Sequence, residues 1–392
     1  MWKMGAAVVA AAFCVMAAAA PASAASDATA APAPAPPPRI SADAAVVIEF
    51  SSGAVLYEKR AHRLMHPASI TKMMTAIIAL ERGYLGDVVT VSRNAAYTPG
   101  SSMGLSPGGR YLLEDLLAGL MIVSGNDAAV AIAEHLAGTE QAFVSMMNDR
   151  AREIGALRTS FVNSYGISEP GHLTTAYDLA LMARHGLSIP YFAQLVSTRE
   201  RDAWRLDRMW DVPLSNTNRL LWGFQGADGV KTGTTYAAGQ CLCASATRDG
   251  MRIISVVLHA DSRWTDSESL LEYAFTSFDV VRSYENGASV CEVPVVRGMR
   301  PAVEAVAASD LSGVIARGAG GTLRLDIDVE RPVRAPVSRG QRLGSATLWV
   351  GDTIVASTDV VAAADVEELT IFRALAAAYA PALRVLSRLG VG

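Results

Sequence analysis

The 392-residue sequence contains very little lysine. Its 34 basic residues include four lysines, Lys3, Lys59, Lys72 and Lys231, and the others are arginines. Arginine stays protonated at any relevant pH, whereas a buried lysine can lose its proton and act as a base. Lys72 lies in the apolar segment HPASITKMMTAIIAL, residues 66–80, and is therefore interpreted as a chemical group rather than a surface charge.

The sequence also lacks a large net charge, a disulfide framework and metal-ligand spacing. A formal net charge of −4 does not favour binding to nucleic acid, which requires a strongly basic surface. Beyond the first 24 residues, Cys241, Cys243 and Cys291 remain, and the first two are predicted on one face of a strand as small buried residues. The six histidines show no zinc-ligand spacing with one another or with these cysteines. No metal is predicted.

The first 43 residues predict an export signal and a linker. Residues 1–24 carry Lys3, an apolar run and the small-residue exit Ala22-Ser23-Ala24, which is typical of a secretory signal peptide cut after Ala24. Residues 25–43 are rich in alanine and proline and predict a semi-extended linker with nothing to bury.

Residues 44–283 mix strand and helix patterns. The runs AVVIEF and AVLYEK flank Ser51-Ser52-Gly53 and predict a hairpin. The β-branched run at residues 251–259 predicts a buried strand, and residues 266–278 predict a helix after it. Strands at both ends with helices between them predict an α+β domain whose sheet is closed by its two termini.

Residues 284–367 predict a small β-sandwich-like domain. Along residues 321–330 apolar side chains face one way and charged side chains face the other. Further short strands are predicted at residues 345–349 and 353–357. This region has no constellation of residues that indicates chemistry.

Residues 368–392 predict an amphipathic helix. Arg373, Arg384 and Arg388 fall on one arc opposite an apolar face, and Pro381 predicts a kink. Such a helix packs on its own protein or lies in a membrane interface. Because it ends a chain with a predicted export signal, peripheral anchoring at the outer face of the cytoplasmic membrane is the favoured interpretation.

Three short motifs carry the candidate chemistry. Ser69 and Lys72 have the spacing of neighbours on one helical face, where a desolvated neutral lysine can activate a serine. Ser124-Gly125-Asn126 precedes an apolar helix, and Lys231-Thr232-Gly233 lies at a predicted strand edge with a glycine that lets a substrate approach. Alone, these fit a chance pair, a capped helix start and a turn. Together, in this order, they form the signature of penicillin-binding proteins and serine β-lactamases.

With these motifs the chain resembles the low-molecular-mass penicillin-binding proteins that are serine-type D-Ala-D-Ala carboxypeptidases. The resemblance runs from about residue 44 to the end and includes SGNDAAVAIAEHLAG and DGVKTGTTYAAGQCL. It implies a β-lactamase/transpeptidase-like fold, with an antiparallel sheet between helices and the site at the sheet edge. It also implies no cofactor, a peptidoglycan stem peptide ending in D-Ala-D-Ala as substrate, and β-lactams as covalent inhibitors.

The resemblance implies three catalytic residues. Ser69 would attack the carbonyl between the two D-alanines, and Lys72 would take its proton. Ser124 would relay a proton to the leaving amine. Water would then release the acyl-enzyme.

The resemblance also implies a set of substrate-binding residues. They are Asn126, Lys231, Thr232, Gly233, Thr234 and Arg263. Lys231 and Thr232 would bind the substrate carboxylate, and the backbone N–H groups of Ser69 and Thr234 would form the oxyanion hole. Arg263 would help to hold the carboxylate, although the match around it is looser.

Three alternatives share the fold. A serine β-lactamase needs fast deacylation, for which class A enzymes use a glutamate, and Glu169 lies in roughly that interval. The segment LTTAYDLA that follows matches the carboxypeptidase pattern, so Glu169 is interpreted as a solvated loop residue. A D,D-endopeptidase uses the same catalytic set and stays open. A non-catalytic cell-wall binding protein would be expected to lose the serine or a lysine, and here all are present.

Overall fold

The computed structural model describes residues 36–206, 210–318 and 321–370. The predicted signal peptide, most of the predicted linker and the predicted amphipathic helix beyond residue 370 lie outside this part of the chain. None of the helices in the described part has the length and apolar character needed to span a bilayer.

The strands and helices alternate in the first two thirds of the chain, and strands alone follow. The strands are β1 (Ala44–Glu49), β2 (Val55–Lys59), β3 (Val88–Thr90), β4 (Arg110–Leu112), β5 (Glu200–Arg205), β6 (Trp210–Ser215), β7 (Ala227–Thr235), β8 (Gly239–Arg248), β9 (Met251–Ala260), β10 (Phe278–Tyr284), β11 (Ser289–Val296), β12 (Ala302–Ala307), β13 (Leu311–Ala316), β14 (Leu323–Val329), β15 (Val333–Arg334), β16 (Arg342–Val350) and β17 (Thr353–Ala362). The helices are α1 (Lys72–Arg82), α2 (Arg93–Ala96), α3 (Leu113–Met121), α4 (Asn126–Ala137), α5 (Glu140–Ile154), α6 (Ala176–Ser188), α7 (Pro190–Ser197), α8 (Leu220–Gly223) and α9 (Arg263–Ser277).

A five-stranded antiparallel sheet, ordered β2-β1-β9-β8-β7, carries the larger part of the fold. The predicted hairpin is β1–β2, and the predicted buried strand is β9. Strand β1 pairs with β9 from Ala44 opposite Leu258 to Glu49 opposite Ile253, so strands from the two ends of this region close the sheet as predicted. Strand β7 is the outermost strand on the other side.

The two faces of this sheet are covered by different helices. Strand β8 shows the division, because Cys241 and Cys243 lie in the core formed with α1, α3, α4 and α6, whereas Leu242 packs with Leu270 and Leu271 of α9. Both cysteines are buried free thiols, as predicted, and burial raises the pKa of Cys241 to about 11. The sheet between two helical groups confirms the predicted α+β class.

Helix α9 begins earlier than predicted. The sequence pattern placed its start at Asp266, but the Asp266 N–H donates to the Ser262 carbonyl at 3.0 Å and closes a turn before it. The Asp266 carboxylate is directed elsewhere, because it accepts hydrogen bonds from Ser41 and from the Ala42 N–H at 2.8 Å. The earlier start places Arg263 at the first position of the helix.

The rest of the described chain is all β, as predicted. A six-stranded sheet, ordered β14-β16-β17-β12-β11-β15, shares a core with the β10–β13 pair, since Leu311 of β13 packs with Val293 and Leu348. The predicted alternating strand is β14. Because β14 is the outermost strand, its apolar face is covered only in part, and Leu323 and Ile327 are 52% and 39% exposed.

Candidate active site

Ser69 lies in a 3-10 turn, Ala68–Thr71, directly before α1. The sequence predicted Ser69 and Lys72 on one helical face, and the structure places the serine in this turn and the lysine at the first position of α1. Ala68 is fully buried and has a φ of +50°, a left-handed conformation that is costly for a residue with a Cβ. Ser69 itself is half-buried, so its hydroxyl remains within reach of a substrate.

Lys72 is completely buried and is surrounded by three oxygen atoms. Its Nζ lies 3.1 Å from Ser69 Oγ, 2.7 Å from Asn126 Oδ1 and 2.7 Å from the Tyr165 carbonyl. A neutral amine has two N–H bonds and one lone pair. The amide and carbonyl oxygens can only accept, so they take the two N–H bonds and the lone pair faces the Ser69 hydroxyl.

The environment of Lys72 favours that neutral form. Burial lowers its pKa well below the ordinary value for lysine, and the positive charge of Lys231 lowers it further, against a smaller opposing effect of Asp127. A lysine with a depressed pKa can accept the proton of a nearby hydroxyl. The geometry therefore gives Ser69 a base within hydrogen-bond reach.

The Ser124-Gly125-Asn126 motif brings Asn126 against Lys72. Asn126 is the first residue of α4, and its side-chain amide donates to the Pro99 carbonyl at 2.6 Å while its oxygen accepts from Lys72. Gly125 occupies the N-cap position, so neither Ser124 nor Asn126 caps α4, and the Asn126 oxygen contacts Lys72 instead. Ser124 is 6% exposed and has a φ of +64° immediately before this pair.

Asp127 supports this motif and was missed in the sequence. Its carboxylate is fully buried and accepts hydrogen bonds from the N–H groups of Met103, at 3.1 Å, and Leu105, at 3.0 Å. The neighbouring Asn126 N–H donates to the Ser101 carbonyl at 2.7 Å. The two residues together hold the segment 101–105 beside the start of α4.

Gly233 allows the edge strand β7 to lie against the Ser69 turn. A Cβ at Gly233 would stand 3.0 Å from Ala68 Cβ, 3.0 Å from the Pro67 carbonyl oxygen and 3.1 Å from Ser69 N. Contacts as short as these would force the neighbouring atoms apart, so only glycine fits at position 233 without a shift. The outer edge of β7 therefore borders the nucleophile turn, where an extended peptide can bind.

Lys231 lies two residues before Gly233 on β7 and is 1% exposed. Its Nζ donates to the Thr232 carbonyl at 3.2 Å. Burial lowers the pKa of Lys231 to about 7, with a further contribution from the charge of Arg263. An anionic group bound nearby would favour the charged form.

Arg263 reaches the same strand from the start of α9. One guanidinium nitrogen donates to the Gly233 carbonyl at 3.0 Å and to Thr234 Oγ1 at 2.7 Å. The guanidinium carbon lies 4.7 Å from the centre of the Trp264 ring, and burial lowers the pKa of Arg263. The residue with the looser sequence match thus contacts the predicted substrate-binding strand directly.

Two more contributions to the site were not predicted from the sequence. The Thr217 hydroxyl lies 2.7 Å from the Thr232 hydroxyl and holds its orientation. The Tyr165 carbonyl accepts from Lys72, and Gly166 after it packs where a Cβ would overlap the Ala68 carbonyl. In the sequence, Gly166 was the signal for this close packing, and a single glycine is a weak signal by itself.

Within residues 36–206, 210–318 and 321–370, no group of three or more His, Cys, Asp or Glu side chains is placed to hold a metal ion. The site consists of a serine hydroxyl, a desolvated lysine that faces it, an asparagine and a cationic edge strand. This arrangement defines a serine acyl-transfer site of the Ser-x-x-Lys class.

Comparison with known proteins gives the family within that class. The family model described as D-alanyl-D-alanine carboxypeptidase matches residues 29–262, and the one described as penicillin-binding protein 5, C-terminal domain, matches residues 278–368. The chain therefore belongs to the D-alanyl-D-alanine carboxypeptidase family, and the resemblance found in the sequence is confirmed.

Individual relatives agree with this membership. D-alanyl-D-alanine carboxypeptidase DacF of Bacillus subtilis (strain 168) is 36% identical over 336 residues, 83% of this chain and 86% of that protein. DacC of Escherichia coli (strain K12) is 32% identical over 348 residues, 84% of this chain and 85% of that protein. The crystal structure of penicillin-binding protein 5 from Haemophilus influenzae superposes with a TM-score of 0.75 at 31% identity, over 85% of this chain and 100% of that chain.

Proposed function

We propose that the protein is a serine-type D-Ala-D-Ala carboxypeptidase that removes the terminal D-alanine from peptidoglycan stem pentapeptides. An acyl-enzyme on Ser69 is the intermediate, and β-lactams acylate the same serine. The observation that carries the proposal is the placement of Lys72, whose Nζ lies 3.1 Å from Ser69 Oγ and whose other two partners are acceptors.

Acylation proceeds by transfer of one proton and exchange of one bond. Ser69 Oγ attacks the carbonyl carbon between the two D-alanines while its proton passes to Lys72 Nζ. The backbone N–H groups of Ser69 and Thr234 stabilise the negative charge that develops on the carbonyl oxygen. The C–N bond then breaks, the leaving amine receives a proton through Ser124, and D-alanine departs.

Deacylation reverses this sequence with water in place of the amine. Water attacks the ester carbon, its proton passes to Lys72, and the Ser69 oxygen leaves with a proton. The products are the tetrapeptide and the free enzyme. These two steps account for every bond and proton with the protein, the substrate and one water molecule.

The edge strand β7 supplies substrate recognition. Lys231 and Arg263 provide positive charge for the substrate carboxylate, and the Thr232 hydroxyl, held by Thr217 at 2.7 Å, donates to it. Bound carboxylate restores the charged form of Lys231, whose pKa is lowered to about 7 without it. The Asn126 amide nitrogen donates one N–H to the Pro99 carbonyl, and its second N–H is available to the substrate amide.

The β-lactamase alternative is disfavoured by Glu169. This residue is exposed, and its carboxylate accepts from the Asn163 amide at 3.1 Å. A deacylating base must reach the water beside the ester carbonyl, and this carboxylate is engaged in its own loop. The interpretation of Glu169 as a solvated loop residue agrees with these contacts.

Export and membrane attachment form the second part of the proposal. The signal-peptide pattern of residues 1–24 supports a location outside the cytoplasm, and the amphipathic pattern of residues 368–392 supports peripheral anchoring. A protein truncated after Glu367 should lose sedimentation with membranes that the full chain retains. Equal sedimentation of both would overturn the anchoring.

Intact mass after addition of a penicillin tests the catalytic proposal. We expect a stoichiometric adduct that persists on the wild-type protein and is absent from Ser69→Ala, followed by D-alanine release from a pentapeptide by the wild type alone. Drug consumption without a lasting adduct would indicate a β-lactamase. Neither adduct nor consumption would indicate a non-catalytic binding protein.

A further inference from the structure

A buried histidine, His172, is connected to the nucleophile turn by a chain of hydrogen bonds. Its Nδ1 lies 3.0 Å from the Val162 N–H nitrogen, and its Nε2 lies 2.8 Å from Thr71 Oγ1. The Thr71 hydroxyl in turn lies 2.9 Å from the Ala68 carbonyl oxygen. His172 is fully buried and Thr71 is 1% exposed, so water does not compete for these bonds.

The direction of every bond in this chain is determined. The Val162 N–H can only donate, so His172 Nδ1 is the acceptor and the ring proton is on Nε2. Nε2–H therefore donates to Thr71 Oγ1. The Ala68 carbonyl can only accept, so the Thr71 hydroxyl proton points to it. Reversing any one link would leave two donors or two acceptors facing each other.

The Ala68 carbonyl belongs to the same planar peptide unit as the Ser69 N–H. In a trans peptide the C=O and N–H bonds point in opposite directions, so a carbonyl held by Thr71 fixes where the Ser69 N–H points. The φ of +50° at Ala68 makes this orientation unfavourable without support. Gly166 packs against the same carbonyl, since a Cβ there would overlap the Ala68 carbonyl and crowd Thr71 Oγ1.

We propose that His172 and Thr71 are positioning residues that orient the Ala68–Ser69 peptide so that the Ser69 N–H serves as an oxyanion donor. The inference rests on the proposed acyl-transfer function. Neither residue touches the substrate. Their effect is preorganisation, because a donor already aimed at the developing charge needs no reorientation in the transition state.

The chain of bonds persists at working pH. Burial, and secondarily the charge of His66, lower the pKa of His172 to about 4, so the imidazole is neutral near pH 7. Protonation would add an N–H at Nδ1, directly opposite the Val162 N–H. The tautomer that donates to Thr71 is therefore the stable one.

Thr71→Val tests the proposal, because valine keeps the shape of threonine and removes the hydroxyl. The matched control is Thr174→Val, which removes another fully buried hydroxyl, one that bonds Thr159 at 2.8 Å and no active-site group. Three quantities are compared with the wild type: the rate constant of acylation by a penicillin, the dissociation constant of the non-covalent complex that precedes it, and the midpoint of thermal unfolding.

We expect Thr71→Val to slow acylation by about tenfold or more. This is smaller than the 10²–10³-fold loss that is typical when an oxyanion donor is removed, because the Ser69 N–H is still present. The dissociation constant of the non-covalent complex should stay within about threefold of wild type. Affinity for a boronic acid analogue of acyl-D-alanine, whose tetrahedral adduct places an oxygen in the oxyanion hole, should fall in parallel. Thr174→Val should lose similar thermal stability without slowing acylation. Thr71→Ser should recover most of the rate lost in Thr71→Val.

His172→Gln gives a second measurement if Thr71→Val folds poorly. Glutamine can donate to Thr71 but is flexible, so an intermediate loss of acylation rate is expected. Equal acylation rates for wild type, Thr71→Val and His172→Gln would overturn this inference and leave the proposed function unaffected. Failure of the wild type to form an acyl-enzyme would overturn the proposed function and the inference with it.

Discussion

Lys72 and Lys231 are electrostatically coupled: burial lowers the pKa of Lys72, and the positive charge of Lys231 lowers it further. Both side chains are almost completely buried. Two like charges in one desolvated site oppose each other, so a positive charge on Lys231 disfavours the protonated form of Lys72. Arginine stays protonated, so it could not supply a neutral amine at position 72.

The coupling predicts the pH dependence of acylation. The base must be neutral, so the acylation rate falls as the pH decreases through the pKa of Lys72. Lys231→Gln removes a positive charge and raises that pKa, which should move the acidic limb of the pH–rate profile to higher pH. The measurement is the second-order rate constant of penicillin acylation across pH.

Lys59→Gln is the matched control for this prediction. Lys59 is a half-buried lysine whose Nζ donates to the Ile40 carbonyl at 3.0 Å, away from the Ser69 turn. Its replacement should leave the acidic limb where it is. An acidic limb that does not move in Lys231→Gln would contradict the coupling, whatever the loss of substrate affinity.

Gly233→Ala should separate β7 from the Ser69 turn. The added Cβ would stand 3.0 Å from Ala68 Cβ and 3.1 Å from Ser69 N, and neither atom belongs to a flexible side chain. We expect acylation to slow by about 10- to 100-fold, with a loss of about 1–3 kcal/mol in the free energy of unfolding from overpacking. Acylation kinetics and urea unfolding measure the two effects.

Gly223→Ala controls for the loss of a glycine as such. A Cβ at Gly223, the last residue of α8, would meet no atom within 4 Å. This variant should acylate at the wild-type rate. An equally fast Gly233→Ala protein would show that close approach of β7 is unnecessary for acylation.

The sequence predicted the parts of the site that depend on side-chain chemistry. Ser69, Lys72 and Asn126 could be found because a nucleophile, a base and an amide must be particular residue types in a particular order. In the structure Lys72 is within hydrogen-bond distance of both Ser69 and Asn126. The predicted strands β1 and β9 could be found because their apolar runs must be buried on both faces.

The remainder could not be predicted because it depends on backbone groups and on distant packing. The acceptor that completes the environment of Lys72 is the Tyr165 carbonyl, and every residue has a carbonyl. His172 has an ordinary helix-preceding position in the sequence, and its partner Thr71 lies about a hundred residues away. Helix α9 begins at Arg263, and the Asp266 carboxylate binds Ser41 and Ala42, again a long-range contact.

His172 should make the fold sensitive to mild acid. Its pKa is about 4 in the folded protein against 6.5 for an ordinary histidine, with burial as the main cause. Between these values the unfolded chain binds a proton that the folded chain does not. This group therefore leaves stability intact above about pH 6.5 and removes up to about 3 kcal/mol as the pH falls toward 4.

Urea unfolding of wild type and His172→Gln at several pH values isolates this effect. The free energies of unfolding should run parallel between pH 7 and 8, where His172 is neutral in both states. Below pH 6.5 the wild-type curve should fall more steeply, so the two curves converge. Curves that remain parallel down to pH 4.5 would show that His172 is not held neutral by the fold.

Asp127→Asn should destabilise the protein and move the pH profile opposite to Lys231→Gln. One Asp127 oxygen accepts from the Met103 and Ala128 N–H groups and the other from Leu105, so an amide in either orientation sets a donor against donors. We expect a loss of about 2 kcal/mol in urea unfolding. Because Asp127 raises the pKa of Lys72, its neutralisation should lower that pKa and shift the acidic limb of acylation to lower pH.

Asp149→Asn is the control for this last variant, since Asp149 is an exposed residue of α5 that pairs with Arg152. Its replacement should change the free energy of unfolding by less than about 0.5 kcal/mol and leave the acidic limb unmoved. Opposite shifts in Asp127→Asn and Lys231→Gln would identify the titrating group as one that lies between a negative and a positive charge, as Lys72 does. Shifts of the same sign would exclude Lys72 as the base.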